Sequence, residues 1–391
     1  MNLKNFDSEL LLIHQIQQHP ELLEQIQGSE LSELKLQQTL RDSYSPELVR
    51  TALTLVELRK RAANKFTKAE QMFFSRQGLE QATPEAVALY KSQRFKNAPS
   101  TVYDLCSGIG SDSIAIASQG VQVVSVDLSP VAGHQTSLNA EVYGVAEYIS
   151  TKACDVRSLD LSEHWVHIDP DRRAGVKRAV RLEDYEPPLE FLQKLTETSP
   201  AGAIKLSPAS NFGGKFHNCE IELISLNGEC KEATVWFGDI AKEHDWTATI
   251  LPSGYSISAN PWEHYPKVGE LTEYLYDPDP ALVRAGLIDA YVDQHELHRL
   301  DDAEEYLASH QLISSPAITP FRVIANLPNN NKEIKKYFRD HPVREVEIKC
   351  RHVPTNADQL RKKLPLKGTG RTTLFIARLQ GKTRALIAER L

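Results

Sequence analysis

Along the first ninety-five residues the hydrophobic positions recur at helical spacing. Leu10, Ile13 and Ile16, then Leu22, Leu23 and Ile26, fall three and four apart, and Leu48, Ala52, Leu55 and Leu58 continue the period. Each set shares one face of an α-helix. Pro20 and the Gly28-Ser29 pair interrupt the pattern, so several short helices are expected. From Ser100 the period changes. Thr101-Val102-Tyr103, Val121 to Val126, Tyr148 to Thr151, Val166 to Ile168 and Ala203 to Leu206 are short β-type runs. Helical stretches at Ile114 to Ala117, Val131 to Tyr143 and Pro188 to Thr196 fall between them. Strand and helix in alternation predict a mostly parallel sheet covered on both faces.

Glu220 to Leu226 and Lys231 to Phe237 flank Asn227-Gly228, a pair suited to a tight hairpin turn. Trp246 to Leu251 is expected beside that hairpin. After Ala259 comes a Pro-rich stretch with Asn260-Pro261 and Asp277-Pro278-Asp279-Pro280, which predicts a domain boundary. The last segments alternate helix and strand: Glu333 to Phe338, Arg344 to Lys349, Ala357 to Leu364, Thr372 to Ala377 and Arg384 to Ala388. The expected organisation is a helical region over 1–95, a Rossmann-like α/β domain over 96–260 and a small α+β domain over 261–391.

Composition narrows the function classes. With 41% hydrophobic and 25% charged residues the chain reads as a soluble globular protein. The longest apolar run near the start, Leu10 to Ile13, is far short of a signal-peptide core or membrane span, so a cytoplasmic location and no membrane association are expected. The five cysteines form no C-x-x-C pair and the 13 histidines no H-E-x-x-H, so neither a metal site nor a disulfide framework is expected. Net charge is −7 but uneven: from Lys332 onward there are sixteen Lys or Arg against six Asp or Glu. A tail basic from about 332 suits a polyanion, and suits a solvated surface equally. No oligomeric state follows from the pattern.

The chemistry concentrates at strand ends. Asp104-Leu105-Cys106-Ser107-Gly108-Ile109-Gly110-Ser111-Asp112 joins a strand to a helix, and Gly108 and Gly110 allow close backbone approach to a ligand. A dinucleotide fingerprint needs a third glycine, where this chain has Ser113. Asp104 and Asp112 would repel a pyrophosphate but suit the ammonium and sulfonium of S-adenosylmethionine. Asp127, followed by Leu128, ends the second strand, where an acid accepts from ribose hydroxyls; Asp127 also suits a helix start. Asp155, with Val156 after it, follows the third strand, within reach of an adenine amino group or simply in an acidic loop.

Asp169-Pro170-Asp171-Arg172-Arg173 follows Val166-His167-Ile168. Functional residues of open α/β sheets gather at carboxyl ends of strands, so Asp169 and Pro170 are candidates to align an acceptor. Arg172 and Arg173 are candidates to grip a phosphate or carboxylate. Lys205, on the same rim, faces the substrate or pairs with an acid. Ser207 lacks the base and elbow of a hydrolase.

The ordered set Asp104-x-Cys106-x-Gly108-x-Gly110, Asp127, Asp155 and Asp169-Pro170 resembles class I methyltransferases, whose sheets also carry an antiparallel edge. More closely, the chain resembles bacterial methyltransferases with a C-terminal THUMP-like domain. The resemblance runs through Lys65-Phe66, Met72-Phe73-Phe74 and Leu79-Glu80-Gln81-Ala82-Thr83. It continues through Asp169 to Arg173 with Gly175, Tyr185-Glu186-Pro187-Pro188-Leu189, Lys205-Leu206-Ser207-Pro208, Tyr276 to Pro280 and Arg284-Ala285-Gly286. It implies S-adenosylmethionine as cofactor, a helical N-terminal region, a ferredoxin-like or THUMP-like C-terminal part and an RNA substrate, with a base nitrogen as the favoured acceptor. Where amino-methylating enzymes carry (D/N)-P-P-(Y/F/W), this chain has Asp171 and Arg172; an arginine plane stacks on a base and also suits a phosphate. Methylation of a small molecule or protein, and a non-catalytic RNA-binding protein of this fold, remain open alternatives.

Overall fold

The computed structural model describes residues 3–172, 181–243 and 246–391, with side chains from residue 6 and not at 172. Two compact units divide the chain: Met1–Cys219 with Thr234–Lys242, and Glu220–Ala233 with Glu243–Leu391. Neither boundary expected from composition, at 95 or at 260, separates these units.

The first unit opens with α1 (Leu3–Gln18), α2 (Pro20–Gln27), α3 (Glu33–Leu40) and α4 (Pro46–Ala62). Pro20 and Pro46 sit at first-turn positions, where their missing N–H costs nothing, and the Ser45 hydroxyl accepts from Leu48 N to cap α4. The periodic residues Ile16, Leu22, Ile26, Leu48, Ala52 and Leu55 pack into one core that also takes in Ile109 from the glycine loop. The helical region is thereby built onto the sheet domain. Two short helices, α5 (Arg76–Gln81) and α6 (Glu85–Ser92), lead to the first strand.

The sheet is laid down as β1 (Val102–Leu105), α7 (Ser111–Ala117), β2 (Val123–Asp127), α8 (Pro130–Tyr143), β3 (Ile149–Ala153) and β4 (Val166–Ile168). A two-residue ladder, β5 (Asp171–Arg172) with β6 (Tyr185–Glu186), precedes α9 (Leu189–Thr198) and β7 (Ala201–Leu206). The strands pair in parallel in the order β7–β4–β1–β2–β3. Asp104 stands opposite Ser125 on one side and His167 on the other, and Asp127 opposite Ala153. This register brings the carboxyl ends of β1, β2, β3 and β4 to one edge, where open α/β sheets place their ligands.

The chain continues through β8 (Cys219–Leu226) and β9 (Glu229–Gly238). Asn227 and Gly228 between them have φ of 53° and 78°, the left-handed pair that a type I′ hairpin requires. The Thr234–Gly238 half of β9 lies beside β7 in the first unit. In the second unit β10 (Trp246–Leu251) runs parallel to β8, and β11 (Tyr255–Ala259) antiparallel to β10.

The second unit also holds a seven-stranded sheet. Its elements are β12 (Tyr274–Pro278), α10 (Pro280–Arg284), α11 (Ile288–Asp293), β13 (His298–Arg299), β14 (Leu307–Ser309), β15 (Ile318–Pro328), α12 (Asn331–Asp340), β16 (Glu345–Cys350), α13 (Ala357–Lys362), β17 (Arg371–Leu379) and β18 (Lys382–Arg390). The strand order is β13–β14–β12–β15–β18–β17–β16. The expected alternation of helix and strand breaks at its end: Arg384 to Ala388 lies in β18, antiparallel to β17, because Gln380-Gly381, both at positive φ, turn the chain straight back. Ile334 and Phe338 of α12 are buried in the core formed with Leu374, Ile376 and Ile387.

Candidate active site

Between β1 and α7 the backbone takes positive φ at Cys106 (57°), Gly108 (56°) and Gly110 (83°). Such values cost an ordinary residue about 1–2 kcal/mol. A Cβ on Gly110 would lie 2.5 Å from Thr136 Cγ2, whereas one on Gly108 would meet nothing within 4 Å. Gly110 therefore serves close packing against α8, while Gly108 faces an opening. The loop is fixed from behind: the Thr136 hydroxyl donates to Gly108 O (3.1 Å) and Asn139 Nδ2 to Ile109 O (3.0 Å). Within it the Ser107 hydroxyl is buried and has no partner among the described residues.

Under the loop lies a buried polar network. His167 Nδ1 contacts Asp104 Oδ1 at 2.7 Å, and the Ser113 hydroxyl donates to Asp104 Oδ2. Lys91, 1% exposed, pairs with Asp112 at 2.9 Å and reaches His167 Nε2 at 3.3 Å. An ammonium only donates, so Nε2 accepts and Nδ1 carries the proton given to Asp104. The Thr83 hydroxyl donates to Asp112 Oδ2 at 2.6 Å. Burial alone would raise the Asp112 pKa, but the charge of the Lys91 ammonium holds it well below the usual carboxylate range. Asp104 and Asp112 were expected to meet the cationic end of a ligand. The structure instead spends their oxygens inside the protein, because both side chains lie beneath the loop with partners at hand.

The acids at the strand tips differ. Asp127 accepts from Gly108 N (2.9 Å) and Ser129 N (2.8 Å); burial pushes its pKa up against those two donors. Leu128 beside it is 67% exposed. Asp169 pairs through Oδ2 with Lys205 Nζ at 2.6 Å, and 31% of its side chain stays accessible. Burial raises its pKa, opposed by Lys205. Lys205 thus takes the acid-pairing role rather than facing a substrate, and its Nζ also donates to Gln81 O at 3.3 Å. Gln81 Nε2 donates to Asp171 Oδ1 at 2.8 Å. Pro170 is buried. The Arg172 backbone pairs with Tyr185, and Arg173 lies outside the described residues, as does Gly175.

Asp155 caps the short turn Val156–Ser158 and binds Arg157 Nη2 at 2.6 Å, and Arg157 also reaches Glu186 at 3.0 Å. Val156 is buried, so it offers the rim its backbone rather than its side chain. Burial, with Asp127 and Asp169 nearby, pushes the Cys106 thiol well above its usual value. It stays protonated at neutral pH and is no nucleophile.

Residues 318–390 match the THUMP domain-like family, residues 100–198 the RNA cap guanine-N2 methyltransferase family and residues 20–62 a domain family of unknown function. Over 345 residues the chain is 30% identical to an uncharacterised S-adenosylmethionine-dependent methyltransferase of Mycobacterium tuberculosis, in strains CDC 1551 and H37Rv, covering 86% of this chain and 93% of that one. The chain belongs to the S-adenosylmethionine-dependent methyltransferases. The fold of this methyltransferase also matches the crystal structure of a methyltransferase candidate from Porphyromonas gingivalis W83, with a TM-score of 0.76, 22% identity and coverage of 89% and 92% of the two chains.

The methyltransferase's rim fits its cofactor. Gly108 leaves space that any Cβ would enter, the Ser107 hydroxyl beside it lacks a partner among the described residues, and Leu128 presents an exposed apolar surface next to Asp127. Among the described residues there is no His, Cys, Asp or Glu cluster suited to a metal and no helix long and apolar enough to cross a membrane.

Motif reading gave no site role to Lys91, nor to His167, Thr83, Gln81 and Ser107, which fall inside the segments it singled out. Two of these carried a signal. Lys91 falls four residues after Val87 on the buried face of α6, and His167 interrupts a strand buried along its whole length. A polar residue in a fully buried run must find a partner.

Proposed function

We propose that this methyltransferase transfers a methyl group to a base nitrogen of RNA. The observation that carries the reading is Asp169 at the tip of β4. Lys205 holds its Oδ2, and the side chain remains partly open to the rim. The matches of residues 100–198 to RNA cap guanine-N2 methyltransferases and of residues 318–390 to THUMP-like domains support RNA as the substrate.

S-adenosylmethionine supplies a methyl group on a sulfonium, an electrophile already activated for displacement. The chain's task is to position and to dispose of a proton. Ser107 and the Gly108 backbone receive the methionine end, with Asp104 and Asp112 supporting the loop from below. Asp127 receives the ribose, Leu128 covers a face of the adenine, and Asp155 with the Val156 backbone borders its edge. Asp169 Oδ1 accepts a hydrogen bond from the attacking N–H, which orients the nitrogen lone pair and gives its proton a destination. Lys205 fixes that carboxylate, and the raised Asp169 pKa makes it a stronger base than an ordinary aspartate. Pro170 stiffens the tip, and by their place in the sequence Arg172 and Arg173 are assigned to the phosphate or base of the substrate.

Incubation with methyl-labelled S-adenosylmethionine and separated RNA, protein and metabolite fractions tests this directly. Label in RNA, recovered as an N-methylated nucleoside after nuclease digestion, is expected. Label confined to protein or metabolites overturns the substrate class, and RNA binding without label transfer overturns the activity.

A further inference from the structure

In the second unit Lys332, Lys335 and Arg339 of α12, with Lys363 at the end of α13, line an open concavity of about 480 Å³ together with Asn331 and Pro365. The three α12 cations stand at i, i+3 and i+7, hence on one helix face, spread over about 10 Å of its axis. Among the described residues none of the four side chains has an ion-pair or hydrogen-bond partner. Other cations of the same segment are spent. Lys349 and Arg351 share Asp277 at 2.9 and 2.7 Å, Arg371 pairs with Glu345 and Arg361 with Asp358, both at 3.0 Å. What sets the four cations of this concavity apart is that they are both unspent and gathered on one concave wall.

We propose that this concavity is a phosphate clamp for the backbone of the RNA substrate, a binding site separate from the residues that hold the cofactor. Four unspent cations in a concave wall call for a ligand with several closely spaced negative charges. A phosphodiester chain has them at fixed intervals. An anionic membrane would engage an outward apolar face on the helix, and the apolar residues of α12, Ile334 and Phe338, are buried. The choice of RNA rests on the methylation reading above; the clamp itself rests on the geometry.

The test uses the full-length protein and a fluorescein-labelled single-stranded RNA of mixed sequence, followed by anisotropy between about 50 and 200 mM salt. Each cation engaged on a single strand contributes about −0.7 to the slope of log K against log salt. The variant K332E/K335E/R339E should flatten that slope by about 2 and weaken binding roughly tenfold or more at low salt. A control, K382E/R390E, alters exposed positions of β18 in the same unit and should leave slope and affinity nearly unchanged. S-adenosylmethionine affinity of both variants, by calorimetry, should equal that of the unaltered protein, which also reports that they are folded. Equal loss in both variants would mean diffuse attraction, and an unchanged slope in the triple variant would mean no clamp; either overturns the proposal. Phosphatidylglycerol vesicles that bind by way of the three α12 cations and displace the RNA overturn it in favour of a membrane. Failure of label transfer to RNA would remove the methylation reading while leaving the anisotropy result standing.

Discussion

Two groups of aspartates lie around the glycine loop and have opposite surroundings. Asp104 and Asp112 lie beneath it, 1% and 7% exposed, with oxygens committed to His167, Ser113, Lys91 and Thr83. Asp127 and Asp169 lie at strand tips, partly accessible, with pKa values raised by burial rather than lowered. The first group has its oxygens taken up by internal partners and can hold a loop in shape. The second retains basicity and accessible surface, which contact with a ligand needs. An acid close to a strand end in sequence is therefore either a support or a contact, and its burial and the partners that fill its oxygens separate the two.

The division predicts that breaking a support costs stability, whereas breaking a contact costs function. The largest effect is expected from Lys91→Met, which leaves Asp112 charged and buried; urea denaturation should show a loss of about 3–5 kcal/mol. Adding Asp112→Asn should return a large part of it, since the stranded charge is gone. A loss below about 1 kcal/mol in the single variant would place Lys91 outside the supporting class. The pH dependence has a fixed sign. The folded-state pKa of Asp112 is depressed, so its contribution is complete above the ordinary carboxylate value and fades as the pH falls below it.

Next in size is Asp169→Asn, expected to lower kcat roughly 100-fold or more while leaving S-adenosylmethionine affinity intact. Because the folded pKa of Asp169 is raised, activity should climb with pH through a limb lying above the ordinary carboxylate value. The Asn variant should lack that limb. A limb that persists in Asp169→Asn assigns it to another group. Asp127→Ala follows, weakening cofactor binding by about 1–3 kcal/mol in calorimetry. It also strands Gly108 N and Ser129 N, so Asp127→Asn, which keeps an acceptor oxygen, should recover part of the affinity.

What could be read in advance follows the same division. The sheet was legible because each strand is a short β-type run between turn-forming residues, and the opening of the loop because glycine is needed where φ is positive. The tips Asp127 and Asp169 were legible from position alone. The support group was not. Asp112 looked like a ligand acid because Lys91, its partner, lies twenty-one residues earlier on a different helix, and no local spacing records a contact made by folding. Lys205 was ambiguous for the same reason. In the second unit the eleven-residue β15 escaped notice because its second half alternates exposed and half-buried positions and the strand carries Pro320 and Pro328, residues that ordinarily argue against a central strand.

Asp155 is the acid whose class the geometry leaves most open to experiment, and the smallest effect is expected there. It sits at the rim like a contact, yet its carboxylate caps the turn after β3 and grips Arg157. Exposed ion pairs contribute about 0–1 kcal/mol, so Asp155→Ala should barely change stability and should weaken S-adenosylmethionine by less than Asp127→Ala does. On that outcome the adenine edge is recognised by the Val156 backbone, with Asp155 shaping the turn. An affinity loss equal to that of Asp127→Ala would instead mean that the carboxylate leaves Arg157 to meet the cofactor. Arg157→Ala separates the two cases, since removing a competitor for the carboxylate should then tighten binding, whereas in the supporting role it should loosen the turn and weaken it.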